Sequence, residues 1–121
     1  MEENSNIKLR NLRYTDEFNE FYSVLDERSK NKFGYCLDLL RNKYVLSSKF
    51  IKQIVSSDNN LYEPRVSVGF NEYRSIIFSA DHSNIIQATE IIILNGFLKK
   101  SSKDYDRQIH KAINILNNIK L

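Results

Sequence analysis

The sequence is poor in the residues that build the most recognisable sites. Its 121 residues include no tryptophan, one cysteine, one proline, three glycines and two histidines. So little glycine and proline excludes collagen-like and low-complexity chains. Cys36 cannot form an internal disulfide, which indicates a reducing compartment. The sequence has no Gly-rich phosphate loop and no nucleophile elbow, and His82 and His110 lack metal-ligand spacing, so we expect neither a metal nor a cofactor.

Long apolar runs are also missing. None approaches the roughly 20 residues that a membrane-spanning helix needs, and the first residues, with two acids, do not resemble a signal peptide. Hydrophobic residues make up 41% of the chain and aromatic residues 12%, which is enough for one core. We therefore expect a single cytoplasmic domain, residues 1–121, with no membrane partner.

The positive charge is unevenly distributed. The whole chain has a formal charge of +3, whereas residues 96–121 contain six Lys or Arg and only two Asp or Glu. A local basic surface indicates an anionic partner better than the net charge does. The alternative is an ordinary solvated helix face.

The hydrophobic patterns predict strand, two helices, three strands and a helix. The predicted elements are a strand at Ile7–Tyr14, a helix capped by Asp16 and running to about Arg28, a helix capped by Ser29, strands at Leu61–Val68, Glu72–Ser79 and Ile85–Leu94, and a final helix carrying Tyr105, Ile109, Ala112, Ile113 and Leu116 on one side. Residues 45–57 fit either a short strand or a loop, and residues 56–60 a turn. The apolar run Ile91–Leu94 predicts a strand that is covered on both faces. This order predicts an α+β fold: an antiparallel sheet with an N-terminal helical hairpin and a C-terminal helix.

Two arginines lie in the middle of predicted strands. Arg65 shares a strand face with Glu63, and Arg74 with Glu72, because side chains alternate along a strand. A two-residue turn at Gly69-Phe70 places the arginines opposite each other, and a three-residue loop places them on opposite faces. Their acceptors are either the nearby glutamates or the phosphates of a substrate.

Three motifs around these arginines resemble those of a known family. They are Leu61-Tyr62-Glu63-Pro64-Arg65-Val66, Asn71-Glu72-Tyr73-Arg74 and Asn95-Gly96-Phe97-Leu98-Lys99-Lys100-Ser101. Their types and order resemble the RelE/ParE toxin superfamily, most closely its HigB-like branch. The resemblance covers most of the chain and implies a microbial ribonuclease domain that cuts mRNA on the ribosome. It also implies a metal-independent reaction, in which a ribose 2′-hydroxyl attacks the adjacent phosphate and leaves a 2′,3′-cyclic phosphate.

The resemblance also implies roles for individual residues. Arg74 and Arg65 match the family's basic positions and would clamp the phosphate, where negative charge develops in the transition state. Lys100 would stabilise the scissile phosphate or the leaving group. Tyr105 is a candidate acid or base with a pKa lowered by its cationic neighbours, or else an apolar anchor of the final helix. General RNA and ribosome contacts are expected from Lys49, Lys52, Lys99, Lys103 and Arg107.

The implied partners are mRNA, the ribosome and an antitoxin, of helix-turn-helix type. The superfamily also contains poisons of DNA gyrase, and fold alone does not separate these activities, so a ParE-like gyrase poison and a non-catalytic RNA-binding relative remain alternatives. Three local departures from the family pattern predict structure. Pro64 predicts a sheet edge or a bulge, the long Ile85–Leu94 region predicts a bulge or an extended hairpin, and Asp104 predicts a helix cap.

Overall fold

The computed structural model describes residues 9–54 and 60–119. These form one five-stranded sheet, in the order β1-β5-β4-β3-β2, and three helices. The elements are β1 (Asn11–Tyr14), α1 (Asp16–Ser23), α2 (Glu27–Asn42), β2 (Ile51–Gln53), β3 (Leu61–Val68), β4 (Asn71–Ser79), β5 (Glu90–Leu98) and α3 (Ser102–Asn117). The predicted α+β class is confirmed. No helix among the described residues is long and apolar enough to cross a membrane.

The sheet is antiparallel except at one edge. β1 pairs in parallel with β5, from Asn11 opposite Glu90 to Tyr14 opposite Ile93. The prediction of a wholly antiparallel sheet is therefore wrong at β1. A parallel pair needs a long crossover, and α1, α2 and the three intervening strands provide it. The first two residues of the predicted strand, Ile7 and Lys8, lie outside the described residues.

Side-chain caps set the bounds of the first two helices. The hydroxyl of Thr15 accepts from the backbone N–H of Phe18 at 3.1 Å, and the carboxylate of Asp26 accepts from that of Ser29 at 2.8 Å. The predicted caps, Asp16 and Ser29, are thus wrong, and α1 ends before the predicted Arg28. Both helices pack on one face of the sheet through a shared core of apolar residues. Its helical members are Phe18, Phe33, Cys36 and Leu40.

A two-residue turn at Gly69-Phe70 joins β3 and β4. Gly69 has a φ of 61°, a conformation that glycine adopts without strain, and the strands pair from Val68 opposite Asn71 onward. Of the two loop lengths considered, the two-residue turn is therefore the one present.

Pro64 lies inside the sheet without a bulge. It pairs with Ile51 of β2, and the register of β3 with β4 is the same on either side of it, at Tyr62 and at Arg65. The ladder to β4 is interrupted at residues 63 and 64 because proline has no N–H to donate. The predicted edge or bulge at Pro64 is wrong, because the neighbouring strands hold the register across the missing bond.

β5 is covered on both faces, as its apolar run predicts. Ile91 and Ile93 belong to the core under α1 and α2, whereas Ile92 and Leu94 belong to the core under α3. The predicted bulge is also confirmed: Ile76 pairs with Asn95 and Ile77 with Ile93, so Leu94 is an extra residue on β5. The side-chain oxygen of Asn95 accepts from the backbone N–H of Ile76 at 3.1 Å and fills the gap in the ladder.

The segments that connect the strands differ from those predicted from the sequence. β5 begins at Glu90, and the residues before it form turns that the carboxylate of Asp81 holds by accepting from the N–H groups of Thr89 and Glu90. The ambiguous region contains the short strand β2, paired with β3. The predicted turn at residues 56–60 lies outside the described residues except for Asn60.

The final helix packs as predicted, but its cap is Ser101. The Ser101 hydroxyl accepts from the N–H of Asp104, so the prediction that Asp104 itself caps the helix is wrong. The expected apolar stripe covers the second face of the sheet. Its members are Tyr105, Ile109, Ala112, Ile113 and Leu116.

Candidate active site

The two mid-strand arginines lie directly opposite each other on β3 and β4. A buried carboxylate, Glu63, which is 4% exposed, compensates their like charges. Its Oε2 lies 2.8 Å from Nε of Arg74 and 3.9 Å from Nε of Arg65. Of the partners considered from the sequence, nearby glutamates are therefore the ones that pair with Arg74 in this structure: Glu63 by an ion pair and Glu72 by an ion pair and a hydrogen bond.

Arg74 is buried and bonded on one side only. Its Nη1 donates to the carbonyl of Tyr73 at 3.0 Å and to the carboxylate of Glu72 at 3.3 Å. These bonds lower the pKa of Glu72: the hydrogen bond from Ser67 is the largest cause, followed by that from Arg74. Nε of Arg74 is close enough to Glu63 for an ion pair, but it has no hydrogen-bond partner of good geometry among the described residues, and neither has Nε of Arg65. Both Nε atoms are buried and face the carboxylate of Glu63, so the two guanidinium groups act on the cleft through their charge.

Tyr105 of α3 completes this cluster. Its hydroxyl donates to Oε1 of Glu63 at 2.7 Å, and its ring lies 6.2 Å from that of Phe97. Burial raises the pKa of Tyr105, and the hydrogen bond to Glu63 and the charge of Glu63 raise it further, against the smaller opposing effects of Arg65 and Arg74. The predicted lowering of this pKa is wrong, because burial and the neighbouring carboxylate of Glu63 both favour the protonated hydroxyl.

A cleft opens above the cluster between β2, β3 and the start of α3. It has a volume of about 260 Å³. Its lining residues are Lys52, Glu63, Arg65, Lys99, Ser102, Tyr105 and Asp106. A smaller cavity of about 200 Å³ continues from it along α3, toward Ile54 and Ile109. Three cations against two carboxylates make the cleft a site for an anion.

Three larger cavities lie elsewhere among the described residues. One of about 310 Å³ is lined mainly by aromatic and apolar side chains of β1, α1 and α2, one of about 510 Å³ separates the start of α1 from the end of α3, and one of about 320 Å³ lies between α2 and the end of β3. None of them contains a buried carboxylate held between arginines. The cleft above Glu63 is therefore the candidate active site, although it is not the largest cavity.

The structure brings together about half of the predicted site residues. Lys52, Arg65, Lys99 and Tyr105 line the cleft, and Arg74 reaches it through Glu63. The other four predicted residues, Lys49, Lys100, Lys103 and Arg107, are exposed and do not line it. Arg107 pairs instead with Asp104, at 3.2 Å.

Three cleft residues were not singled out from the sequence. Glu63, which connects both arginines and Tyr105, was considered only as a structural acceptor, although its place on the same strand face as Arg65 was the signal that could have identified it. Ser102 lies three residues before Tyr105 and four before Asp106, so helical spacing places it beside both. Residues 9–54 and 60–119 contain no group of three His, Cys, Asp or Glu that could hold a metal ion.

Comparison with known proteins gives one family. The sequence model of the family described as "Phage derived protein Gp49-like (DUF891)" matches residues 20–117. This family belongs to the RelE/ParE-like toxin superfamily, and its members are in general toxins of toxin–antitoxin systems with ribonuclease-type activity. No curated protein and no solved structure matches the chain.

Proposed function

The chain belongs to the Gp49-like family, and we propose that it is a HigB-like toxin that cuts mRNA on the ribosome and thereby inhibits translation. The observation that carries this proposal is the cleft. It presents Lys52, Arg65 and Lys99 around a buried Tyr105–Glu63 pair, with Arg74 beneath. The cations can bind an RNA phosphate, and the Tyr105–Glu63 pair can accept a proton.

The proposed reaction is an internal transfer of the phosphoryl group. The 2′ oxygen of a ribose forms a bond to the adjacent phosphorus, and the bond from phosphorus to the 5′ oxygen breaks. The products are a 2′,3′-cyclic phosphate and a 5′-hydroxyl end. Negative charge grows on the phosphoryl oxygens, so fixed cations accelerate the step. Arg65 and Lys52 are placed for this role, supported by the positive charge of Arg74 beneath the cleft.

The Tyr105–Glu63 hydrogen bond supports a specific route for the proton. Tyr105 remains protonated, because its pKa is raised. Its oxygen can accept the proton of the 2′-hydroxyl as its own proton passes to Oε1 of Glu63, 2.7 Å away. Glu63 is thus the final acceptor, and Tyr105 is the group that touches the substrate.

The cations divide into two groups in this proposal. Lys99 lines the cleft, so it takes the role beside the leaving 5′ oxygen that the family resemblance gave to Lys100, and it supplies the proton. The remaining basic residues make general phosphate contacts to mRNA and ribosomal RNA. They are Lys49, Lys100, Lys103 and Arg107.

A reconstituted translation system tests the proposal. Purified full-length protein is added to ribosomes with a defined mRNA, and 5′ ends and cyclic phosphates are mapped. Arg65→Ala should reduce cutting about 100-fold, and Tyr105→Phe about 100-fold or more. Lys111→Ala, on the exposed side of α3, is the matched control and should cut normally. Absence of cutting by the unaltered protein would refute the proposal, and breaks in DNA that depend on gyrase would support a ParE-like poison instead.

Membership of a toxin–antitoxin family implies an antitoxin partner. We propose a small helix-turn-helix protein that covers the cleft. Co-expression should relieve growth arrest, and the purified complex should protect Lys52 and Lys99 from acetylation. Relief of growth arrest without protection of these lysines would place the antitoxin elsewhere.

Two observations favour a second candidate, a non-catalytic RNA-binding relative. The raised pKa of Tyr105 and the engagement of Arg74 by Glu63 are what a purely structural ion-pair cluster would also show. The two candidates differ in the translation assay, because a binding protein would protect mRNA on the ribosome without producing new 5′ ends.

A further inference from the structure

A second cationic surface lies on the other side of the sheet, at the end where the β3–β4 hairpin turns. We call it the tip patch and define it by Arg28, Lys32 and Tyr35 of α2 and Phe70 of the turn. The spacing of the three helical residues, i, i+4 and i+7, places them on one face of α2. All four side chains are exposed.

Contacts join the helix to the hairpin at this patch. Nη1 of Arg28 lies so close to the turn that a Cβ added at Gly69 would be 3.7 Å from it. Arg28, Lys32 and Tyr35 share a pocket of about 320 Å³ with Asn31, Ser67 and Val68. No carboxylate lines this pocket, and within residues 9–54 and 60–119 neither cation forms an ion pair. Hydrogen bonds from Ser29 lower the pKa of the nearby Asp26, and the charge of Arg28 lowers it slightly further, but no ion pair forms among the described residues, so the patch presents positive charge to solvent.

The two aromatic rings are the second feature. Phe70 is fully exposed and Tyr35 is 60% exposed. Only the first turn residue, Gly69, has a positive φ, which is the pattern of a type II′ turn, so the second position accepts almost any residue. Neither the turn geometry nor the core requires a phenylalanine at position 70. An exposed ring beside free cations offers a stacking surface for a base.

We propose that the tip patch binds single-stranded RNA, with phosphates on Arg28 and Lys32 and bases stacked on Phe70 and Tyr35. An RNA strand supplies negative charge and flat apolar rings together. A protein partner would have to combine an apolar surface with acidic residues to match both features. Val68, which lines the pocket, is three residues from Arg65, roughly 10 Å along β3, but on the opposite sheet face. The patch is therefore separate from the cleft, and the inference rests on the proposed function only in that the same RNA is expected to reach both.

A binding assay with an RNA analogue that cannot be cut separates this inference from catalysis. A fluorescein-labelled 12-residue 2′-O-methyl oligonucleotide lacks the attacking hydroxyl, and its affinity for the full-length protein is measured by anisotropy. Phe70→Ala should weaken binding about tenfold, and Phe70→Leu should weaken it similarly because an aliphatic side chain does not stack as a ring does. An abasic oligonucleotide of the same length should bind the unaltered protein and Phe70→Ala equally.

The cations are tested through the salt dependence. Arg28→Gln and Lys32→Gln should each reduce the slope of log affinity against log salt by about 0.7, the value for one phosphate contact on a single strand. The matched controls are Val45→Ala, an exposed apolar residue elsewhere, and Lys111→Gln, an exposed cation elsewhere. Both should bind as the unaltered protein does, and thermal melting by circular dichroism should show that every variant is folded.

The outcomes separate the two proposals. Normal RNA binding by the Phe70 and Arg28 variants would refute the tip patch, even where mRNA cutting by the cleft is found. The same result with lost antitoxin binding would assign the surface to a protein partner and also refute it. RNA binding that depends on the patch, in a protein that cuts no mRNA, would support the patch and refute the proposed function.

Discussion

Two buried arginines, Arg10 and Arg74, show how one side chain serves different ends in one small fold. Arg10 is 1% exposed and donates to five backbone carbonyls, at 2.5 to 3.1 Å. These acceptors are the carbonyls of Leu40, Lys43, Tyr44, Ile85 and Ile86. Arg74 is 6% exposed and pairs with the carboxylates of Glu63 and Glu72. Arg10 is held by the backbone, whereas Arg74 belongs to a cluster of ionisable side chains.

The acceptors explain the difference. All five N–H groups of a guanidinium are met around Arg10, which joins the end of α2 to the turns before β5. Backbone carbonyls carry only partial charge and are fixed by the fold. A ligand therefore does not displace them as the acceptors for Arg10. The carboxylate beside Arg74 is also bonded to Tyr105, and a change in its protonation is felt by the whole cluster. Burial alone therefore does not distinguish the two arginines, whereas the kind of acceptor does.

The largest expected effect is on stability, at Arg10. Arg10→Met should lower the free energy of unfolding by about 3–5 kcal/mol, because buried carbonyls lose their donors. Urea unfolding followed by far-ultraviolet circular dichroism measures it. Arg10→Lys should recover only part of the loss, since an ammonium has three donors for five acceptors. A loss below about 1 kcal/mol would contradict the structural role.

The next largest effect tests whether the contribution of Arg74 to stability depends on Glu63. Arg74→Met should cost about 2–3 kcal/mol, because Glu63 is left buried with its charge less well paired. The double variant Arg74→Met/Glu63→Gln should recover most of this stability, since the charge is gone and Tyr105 keeps an acceptor. Urea unfolding of the two single variants and the double variant forms the cycle. Simple additivity would show that the two residues are not coupled.

The smallest effect is the pH dependence of Tyr105. Its pKa in the folded protein is raised above the ordinary 10.0, so the stability from its bound proton is complete below pH 10 and is lost as the pH rises above 10. The stability difference between the unaltered protein and Tyr105→Phe should shrink by about 1 kcal/mol between pH 9 and pH 11. Urea midpoints across this range measure it. A difference that grows with pH would show that the hydroxyl favours its ionised form.

Much of the fold follows from the sequence, because local patterns and tertiary packing agree there. β3 was predicted with its actual bounds, and the run Ile91–Leu94 correctly indicated a strand covered on both faces. The parallel pairing of β1 was not predictable, since a four-residue strand carries no signal of its neighbour. The caps were misplaced because Thr15 and Asp26 stand next to other residues able to cap, and only backbone conformation distinguishes them.

The residues of the site could be predicted in part, but the hydrogen bonds and ion pairs between them could not. The sequence indicated Arg65, Arg74 and Tyr105 but left open whether a glutamate or a phosphate accepts from the arginines. The position of the carboxylate decides this: Glu63 lies between three side chains that come from three different elements. Burial of Tyr105, together with the same carboxylate, reversed the predicted direction of its pKa. This electrostatic effect depends on distances of a few ångströms between residues that are far apart in the sequence, and the spacing of residues does not reveal those distances.

The extra residue Leu94 in β5 determines which of two adjacent lysines enters the cleft. One inserted residue reverses the phase of every later position in a strand. Leu94 and Asn95 both turn toward α3, so Gly96 faces α1, where an added Cβ would lie 2.3 Å from the Phe21 ring. Phe97 packs against α3, and Lys99, two residues further on, lies on the same side and lines the cleft. If the strand alternated regularly through Leu94, Asn95 would turn away from α3 and Lys100 instead of Lys99 would face the cleft, so the bulge gives the two lysines different surroundings.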